Sequence, residues 1–195
     1  MACYNSENWT GEGSLSRFLF FMGVVLFTAF FSVSVGLSQE SGKRITLRVT
    51  SPAFENNKAI PSKYGCDGSN VSPPVKIENI PPEAKSLALV FDDKDAPQGT
   101  YIHWVLWNID PSVGDIKENS VPEGAIQGTN DFNRNHYGGP YPPTRPHKYA
   151  LIVYALDARL NLDPKSGKAD LEKALEGDII AQGRLMGGYR RERKK

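Results

Sequence analysis

The chain has 195 residues, 39% of them hydrophobic, and carries 23 Lys plus Arg against 22 Asp plus Glu, a formal net charge of +1. That apolar share excludes an extended disordered chain and fits one packed domain, while the near balance of charge excludes nucleic-acid binding through bulk charge. Of the two cysteines, Cys3 falls in the leader, so Cys66 is expected to be a lone, half-buried residue without an intrachain disulfide.

From Phe18 to Val35 the sequence is almost wholly apolar, with Arg17 before it and the small residues Ser34, Gly36 and Ser38 at its exit. A charge, an apolar stretch and a small-residue exit are the parts of a secretory signal peptide, which makes residues 1–38 a cleaved leader and the protein exported, periplasmic or secreted. The alternative is membrane anchorage through residues 18–37, since the run approaches the roughly 20 residues that span a bilayer. Residues 39–190 then form the domain and residues 191–195 a solvated basic tail that continues Arg190.

Ile45, Leu47 and Val49 alternate with polar residues and predict an edge strand that ends at Ser51-Pro52. The stretch 55–74 is rich in Gly, Pro, Asn and Ser and predicts a long ordered loop, with a short strand following over 75–80. Leu87 to Asp93 predicts a strong strand whose Leu87, Leu89, Phe91 and Asp93 share one face. Runs at 102–109 and 149–156 are apolar at both parities and predict central strands covered on both sides, as two sheets packed face to face would cover them. A further strand is expected within 121–130, punctuated by Gly124 and Gly128. A helix over 168–176, capped by Ser166 and stopped by Gly177, precedes a last strand at 179–186. The whole predicts a mainly antiparallel β architecture with one helix laid against it.

Two segments concentrate polar groups at strand ends: Asp93-Lys94-Asp95-Ala96-Pro97 running on to His103-Trp104, and Gly138-Gly139-Pro140-Tyr141-Pro142-Pro143 running on to His147-Lys148-Tyr149. Parity puts His147 and Tyr149 on one face, continuous with Leu151 and Val153. A carboxylate beside an imidazole fixes its tautomer, and imidazolium, tyrosyl hydroxyl and backbone N–H groups of a Gly-rich loop together make an anion site. The ligand expected is a phosphate, a phosphorylated headgroup or a carboxylate. Against this stand plainer readings: a buried His is ordinarily a satisfied core residue, Asp is a common turn residue, and His136 reads as an exposed loop residue. Trp104 and Trp107 fall on opposite faces of one strand and read as core. Two His and two Asp could also hold a metal for hydrolysis, but no compact metal signature, nucleophile elbow, P-loop or dinucleotide-binding glycine pattern supports that chemistry, and no catalytic residue or cofactor is assigned.

These two segments resemble the signature regions of the phosphatidylethanolamine-binding protein family, and most closely its prokaryotic branch, the Raf-kinase-inhibitor-like proteins. Ser51-Pro52-Ala53-Phe54, Ile60-Pro61, the run from Cys66 to Pro74 and the run from Gly124 to Phe132 extend the similarity over about residues 45–189. The resemblance implies a β-sandwich of two antiparallel sheets with a short C-terminal helix, and a non-enzymatic pocket that takes phosphate-like anions or phospholipid headgroups. Carried over by position, that pocket is Asp93, Pro97, His103, Gly139, His147 and Tyr149, with Asp95 holding the loop and Tyr101 at the rim. A protein partner docking into the pocket is a further implication. Lys94 stands where the family usually has Pro, and is expected to add a cation near the pocket mouth.

Overall fold

The computed structural model describes residues 45–191. Among the described residues, ten strands and one α-helix follow in chain order, with a single 3-10 turn at Ser62–Tyr64: β1 (Ile45–Thr46), β2 (Arg48–Thr50), β3 (Lys58–Ala59), β4 (Val75–Glu78), β5 (Ser86–Asp93), β6 (Tyr101–Ile109), β7 (Asp115–Ile116), β8 (Ile126–Gln127), β9 (His147–Leu156), α1 (Lys168–Ala174) and β10 (Ile179–Tyr189). The larger sheet has the order β1-β10-β9-β5-β6-β8, with β3 on β10, and the smaller has the order β2-β4-β7. The long strands pair antiparallel, and only the two-residue strands β1 and β3 run parallel to β10.

Alternation along β5 and β9 sends every second side chain between the two sheets. Leu87, Leu89 and Phe91 of β5 and Tyr149, Leu151 and Val153 of β9 pack there against Val49, Val75, Ile77 and Ile116 of the smaller sheet. The opposite parity, Ala88, Val90, Val105 and Trp107 with Leu156, packs under Leu171 and Leu175 of the helical segment. Each large side chain so buried stabilises the fold by ~1.5–3 kcal/mol relative to exposure. Trp104 and Trp107 divide between the two clusters, as their spacing predicts.

Several expectations change in detail. The stretch 45–50 is not one strand: it breaks at Leu47, whose N–H donates to the Gln182 carbonyl (3.0 Å), and β1 and β2 join different sheets. The predicted strand over 121–130 shrinks to Ile126–Gln127. Gly167 rather than Ser166 caps α1, its N–H donating to the Asp170 carboxylate (3.1 Å), because the Ser166 carbonyl already accepts from Thr129 (2.9 Å). Gly177 stops the segment in the left-handed region (φ 91°), and the helix precedes the last strand, both as expected. Cys66 is half-buried as expected, yet disulfide-bonded, which corrects the expectation of a lone residue. Among the described residues no helix is long and apolar enough to cross a membrane; the apolar run 18–35 lies outside them.

Candidate functional site

The polar groups gather at the end of the larger sheet where β5 finishes and β9 begins. Asp93 pairs across to Tyr149 on one side and Tyr101 on the other, and His147 pairs to Tyr189. Parity along β9 puts His147 and Tyr149 on the inter-sheet face, as expected. His103 reaches that face differently. Phe91 pairs with Trp104 and Asp92 with Ile102, so His103 is an extra residue in β6, a bulge. The bulge resets the alternation, and His103 lands beside Phe91 and Tyr149 even though Trp104, the next residue, also faces the inter-sheet core.

Three of these polar residues are almost completely enclosed: His103 and His147 are each 3% exposed and Asp93 is 4% exposed. His147 Nδ1 lies 2.7 Å from Asp93 Oδ2, so the ring donates its Nδ1 proton to the carboxylate and leaves Nε2 as the nitrogen available to a ligand. The other oxygen, Asp93 Oδ1, accepts the Asp95 N–H (2.9 Å), and Asp95 Oδ2 in turn accepts the Lys148 N–H (2.9 Å). The turn after β5 is thereby tied to the start of β9 by carboxylates of both Asp residues. His103 Nδ1 donates to the Gly138 carbonyl (2.7 Å), which returns its own N–H to the His103 carbonyl (3.0 Å).

Four aromatic rings surround the His103 imidazole, with centroids at 5.8 Å for Phe91, 5.5 Å for Tyr101, 5.3 Å for Phe132 and 5.3 Å for Tyr149. This enclosure holds His103 down to a pKa of about 4, burial being the dominant cause and the Gly138 carbonyl and Asp93 partial offsets. His103 is therefore neutral at pH 7 and not the imidazolium that the sequence reading expects. Burial, reinforced by the neighbouring Asp93 charge, raises Tyr149 well above the ordinary phenol range, so it stays a proton donor. Its hydroxyl is buried and makes no hydrogen bond of ordinary geometry within the described residues, although Asp93 and the Tyr141 N–H face it.

The Gly138-Gly139 N–H groups do not serve as the anion donors expected of a Gly-rich loop. Gly138 uses its N–H on His103, and Gly139 donates to Asn70 Oδ1 at 2.7 Å. What Gly139 supplies is closeness: a Cβ there would lie 2.4 Å from the Tyr64 carbonyl oxygen and 2.7 Å from the Gly65 carbonyl carbon. The loop can press against segment 64–70 only with glycine at this position. Pro97 is exposed on the turn, and Tyr101 lies at the rim, its hydroxyl donating to the Asp131 carbonyl (2.8 Å). Lys94 points to the other side of the sheet, its Nζ 2.6 Å from Asp92 Oδ2, because residues 92 and 93 alternate; it adds no cation at the pocket mouth. His136 is exposed. Among the described residues, no three His, Cys, Asp or Glu side chains converge as metal ligands.

Sequence reasoning missed the residues that brace this site. Asn130 is buried; its amide donates to the carbonyls of His103 (3.1 Å) and His136 (2.8 Å), and its Oδ1 accepts from the N–H groups of Phe132 and Arg134 (both 3.1 Å). It fixes the bulge carbonyl and the loop that carries Phe132. Tyr137 stacks on Phe91 at 5.8 Å and donates to the Tyr64 carbonyl at 2.9 Å. Neither has a periodic signal, since both act from irregular loops; the only hint was their place in polar, aromatic segments beside the two signature regions.

A family model described as phosphatidylethanolamine-binding protein matches residues 50–190. A UPF0098 protein of Methanothermobacter thermautotrophicus is 44% identical over 144 residues, which cover 71% of this chain and 95% of that one. One from Pyrococcus horikoshii is 45% identical over 159 residues, 77% of this chain and 79% of that one. The crystal structure of a phosphatidylethanolamine-binding protein homologue from Chlamydia trachomatis superimposes with a TM-score of 0.73 at 37% identity, over 76% of this chain and 99% of that one. Escherichia coli YbcL, described as a member of the mammalian family, gives a TM-score of 0.71 at 28% identity, over 75% and 99% of the two chains.

Proposed function

From the premise that the chain belongs to the phosphatidylethanolamine-binding protein family, we propose that it is an exported binding protein that holds a phosphate-like anion or phosphorylated headgroup between His147, His103 and Tyr149. The observation that carries this reading is the buried Tyr149 hydroxyl, a proton donor with no ordinary hydrogen bond among the described residues, beside the enclosed His147–Asp93 pair. Met by Asp93 only short of ordinary hydrogen-bond geometry, such a buried donor costs roughly 1–3 kcal/mol while unsatisfied, and an anion oxygen is an acceptor that completes it.

Each group then has a role. Asp93 holds the Nδ1 proton of His147 and turns Nε2 to the ligand, where the ring donates to an anion oxygen when doubly protonated and accepts from a protonated oxygen when neutral. Tyr149 donates. Neutral His103, whose Nδ1 proton is spent on Gly138, offers a lone pair at Nε2, so the oxygen it meets is a protonated one. Docking of an acidic or phosphorylated protein segment would use the same atoms.

Replacing His147 with Ala tests the reading. The expected result is a loss of inorganic phosphate affinity of roughly tenfold, the weight of one charge-assisted hydrogen bond, with the β-rich circular dichroism spectrum retained. Titration calorimetry showing equal affinity in the two proteins would refute the assigned site.

A further inference from the structure

The groups enclosed at the site bring little positive charge. The His147 ring is spent on Asp93, His103 is neutral at pH 7 and Tyr149 keeps its proton. Lys94 is drawn to Asp92 on the other face. An anion entering such a site needs a cation at the rim, within the roughly 10 Å over which charge acts at ordinary ionic strength.

The end of β10 brings one to the same end of the sheet. Its last residue, Tyr189, pairs with His147, the first residue of β9, so the chain leaves β10 at the same end of the sheet as Asp93 and His147. Two residues on, the Arg191 guanidinium lies over the Tyr141 ring, 4.6 Å from its centroid. Tyr141 belongs to the loop whose Gly138 carbonyl holds His103 and whose Tyr141 N–H faces the Tyr149 hydroxyl. Arg191 is half-buried, whereas Arg190, Arg145 and Lys148 are exposed. The first residue of the basic tail is thus packed against the site's own loop and is not a frayed end. A guanidinium on an aromatic face keeps its donor edges open for a phosphate oxygen, the geometry that distinguishes Arg from Lys in anion recognition.

We propose that Arg191, held on the Tyr141 ring, is a further anion-binding residue that supplies the positive charge of the His147 site and contacts the phosphate group of its ligand. This rests on the reading of the site given above and adds to it a residue from the tail. The phosphate can be free or part of a headgroup, and two probes separate these sources: inorganic phosphate, and glycerophosphoethanolamine as the headgroup without its acyl chains.

The test is calorimetric titration of the full chain in detergent, at two salt concentrations, with Arg191→Gln, Tyr141→Leu and Arg190→Gln beside the unaltered protein. Removing a rim charge at this range is expected to weaken binding by roughly tenfold in Arg191→Gln and to flatten its salt dependence. Tyr141→Leu, which keeps the charge but removes its platform, should lose roughly threefold, in line with an exposed cation–ring contact. Arg190→Gln should change by less than about twofold, as a more solvated charge does. A loss confined to inorganic phosphate identifies a free phosphate as the ligand, and a loss confined to glycerophosphoethanolamine identifies a headgroup; either supports the proposal. Arg191→Gln affinity and salt dependence within twofold of the unaltered protein for both probes overturns it, and so does an equal loss in Arg190→Gln, which would reduce the effect to net charge. If the unaltered chain binds neither probe, the site reading itself fails and takes this one with it.

Discussion

Asp92 and Asp93 are neighbours in sequence and both are buried, yet β5 sends them to opposite faces of the larger sheet. Asp93 enters a set of mutually oriented groups: one oxygen accepts from His147 and the other from the Asp95 N–H. Asp92 meets Lys94 through one oxygen while its Oδ1 has no partner among the described residues, and burial pushes its carboxyl pKa up with Lys94 only partly offsetting the shift. The helix side therefore uses its carboxylate in an ion pair with Lys94, near the Lys168–Glu172 pair of α1, and the inter-sheet side uses its carboxylate to aim an imidazole. A single step in strand parity separates a structural acid from a site acid.

The largest effect expected from disturbing this contrast is on the site side. Asp93→Ala removes the acceptor of both the buried His147 ring and the Asp95 N–H, and should cost about 3–5 kcal/mol in urea unfolding together with phosphate affinity. A cost below about 1 kcal/mol would mean that His147 finds another acceptor and that the pairing does not organise the site.

Next comes pH. His103 has a folded pKa of about 4, below its ordinary value of 6.5, because burial disfavours the charged ring. The unfolded chain thus binds a proton that the folded chain refuses. The resulting stability is fully present above pH 6.5 and is lost as pH falls through the window down to 4, by about 3 kcal/mol in all. His103→Phe keeps an aromatic ring among its four aromatic neighbours but cannot titrate, so its unfolding free energy should fall less between pH 7 and pH 4, by that difference. Parallel pH profiles for the two proteins would show that His103 is not excluded from water.

The smallest effect belongs to the helix side. Lys94→Ala should cost about 1 kcal/mol, since the lysine is partly exposed and Asp92 can take up a proton in its place, and phosphate affinity should not change. A Lys94→Ala variant with weakened phosphate binding would place Lys94 at the site after all.

Much of this contrast was legible in the sequence, for a physical reason. Strand parity is a local rule, so Asp93, His147 and Tyr149 could be put on one face with Phe91 and Leu151 from spacing alone, and the long apolar runs gave β5, β6, β9 and β10 to within a few residues at most ends. The face of His103 was not legible. A bulge is a property of pairing between strands, and counting along β6 from Trp104 would have turned His103 to the helix side. The break at Leu47 was hidden likewise, because alternation continues across it while the hydrogen-bond partner changes from one sheet to the other. The direction of the Gly139 N–H and the bracing by Asn130 depend on contacts 69 and 27 residues away in sequence, which no local pattern carries.

The central claim, an anion site on the inter-sheet face and nowhere else among the histidines, is most directly tested by NMR. The ring signals of the three histidines would be followed while inorganic phosphate is added to the full chain. Saturable shifts are expected at His147 and His103, with exposed His136 silent. Shifts at His136 alone, or equal drift of all three rings without saturation, would contradict it.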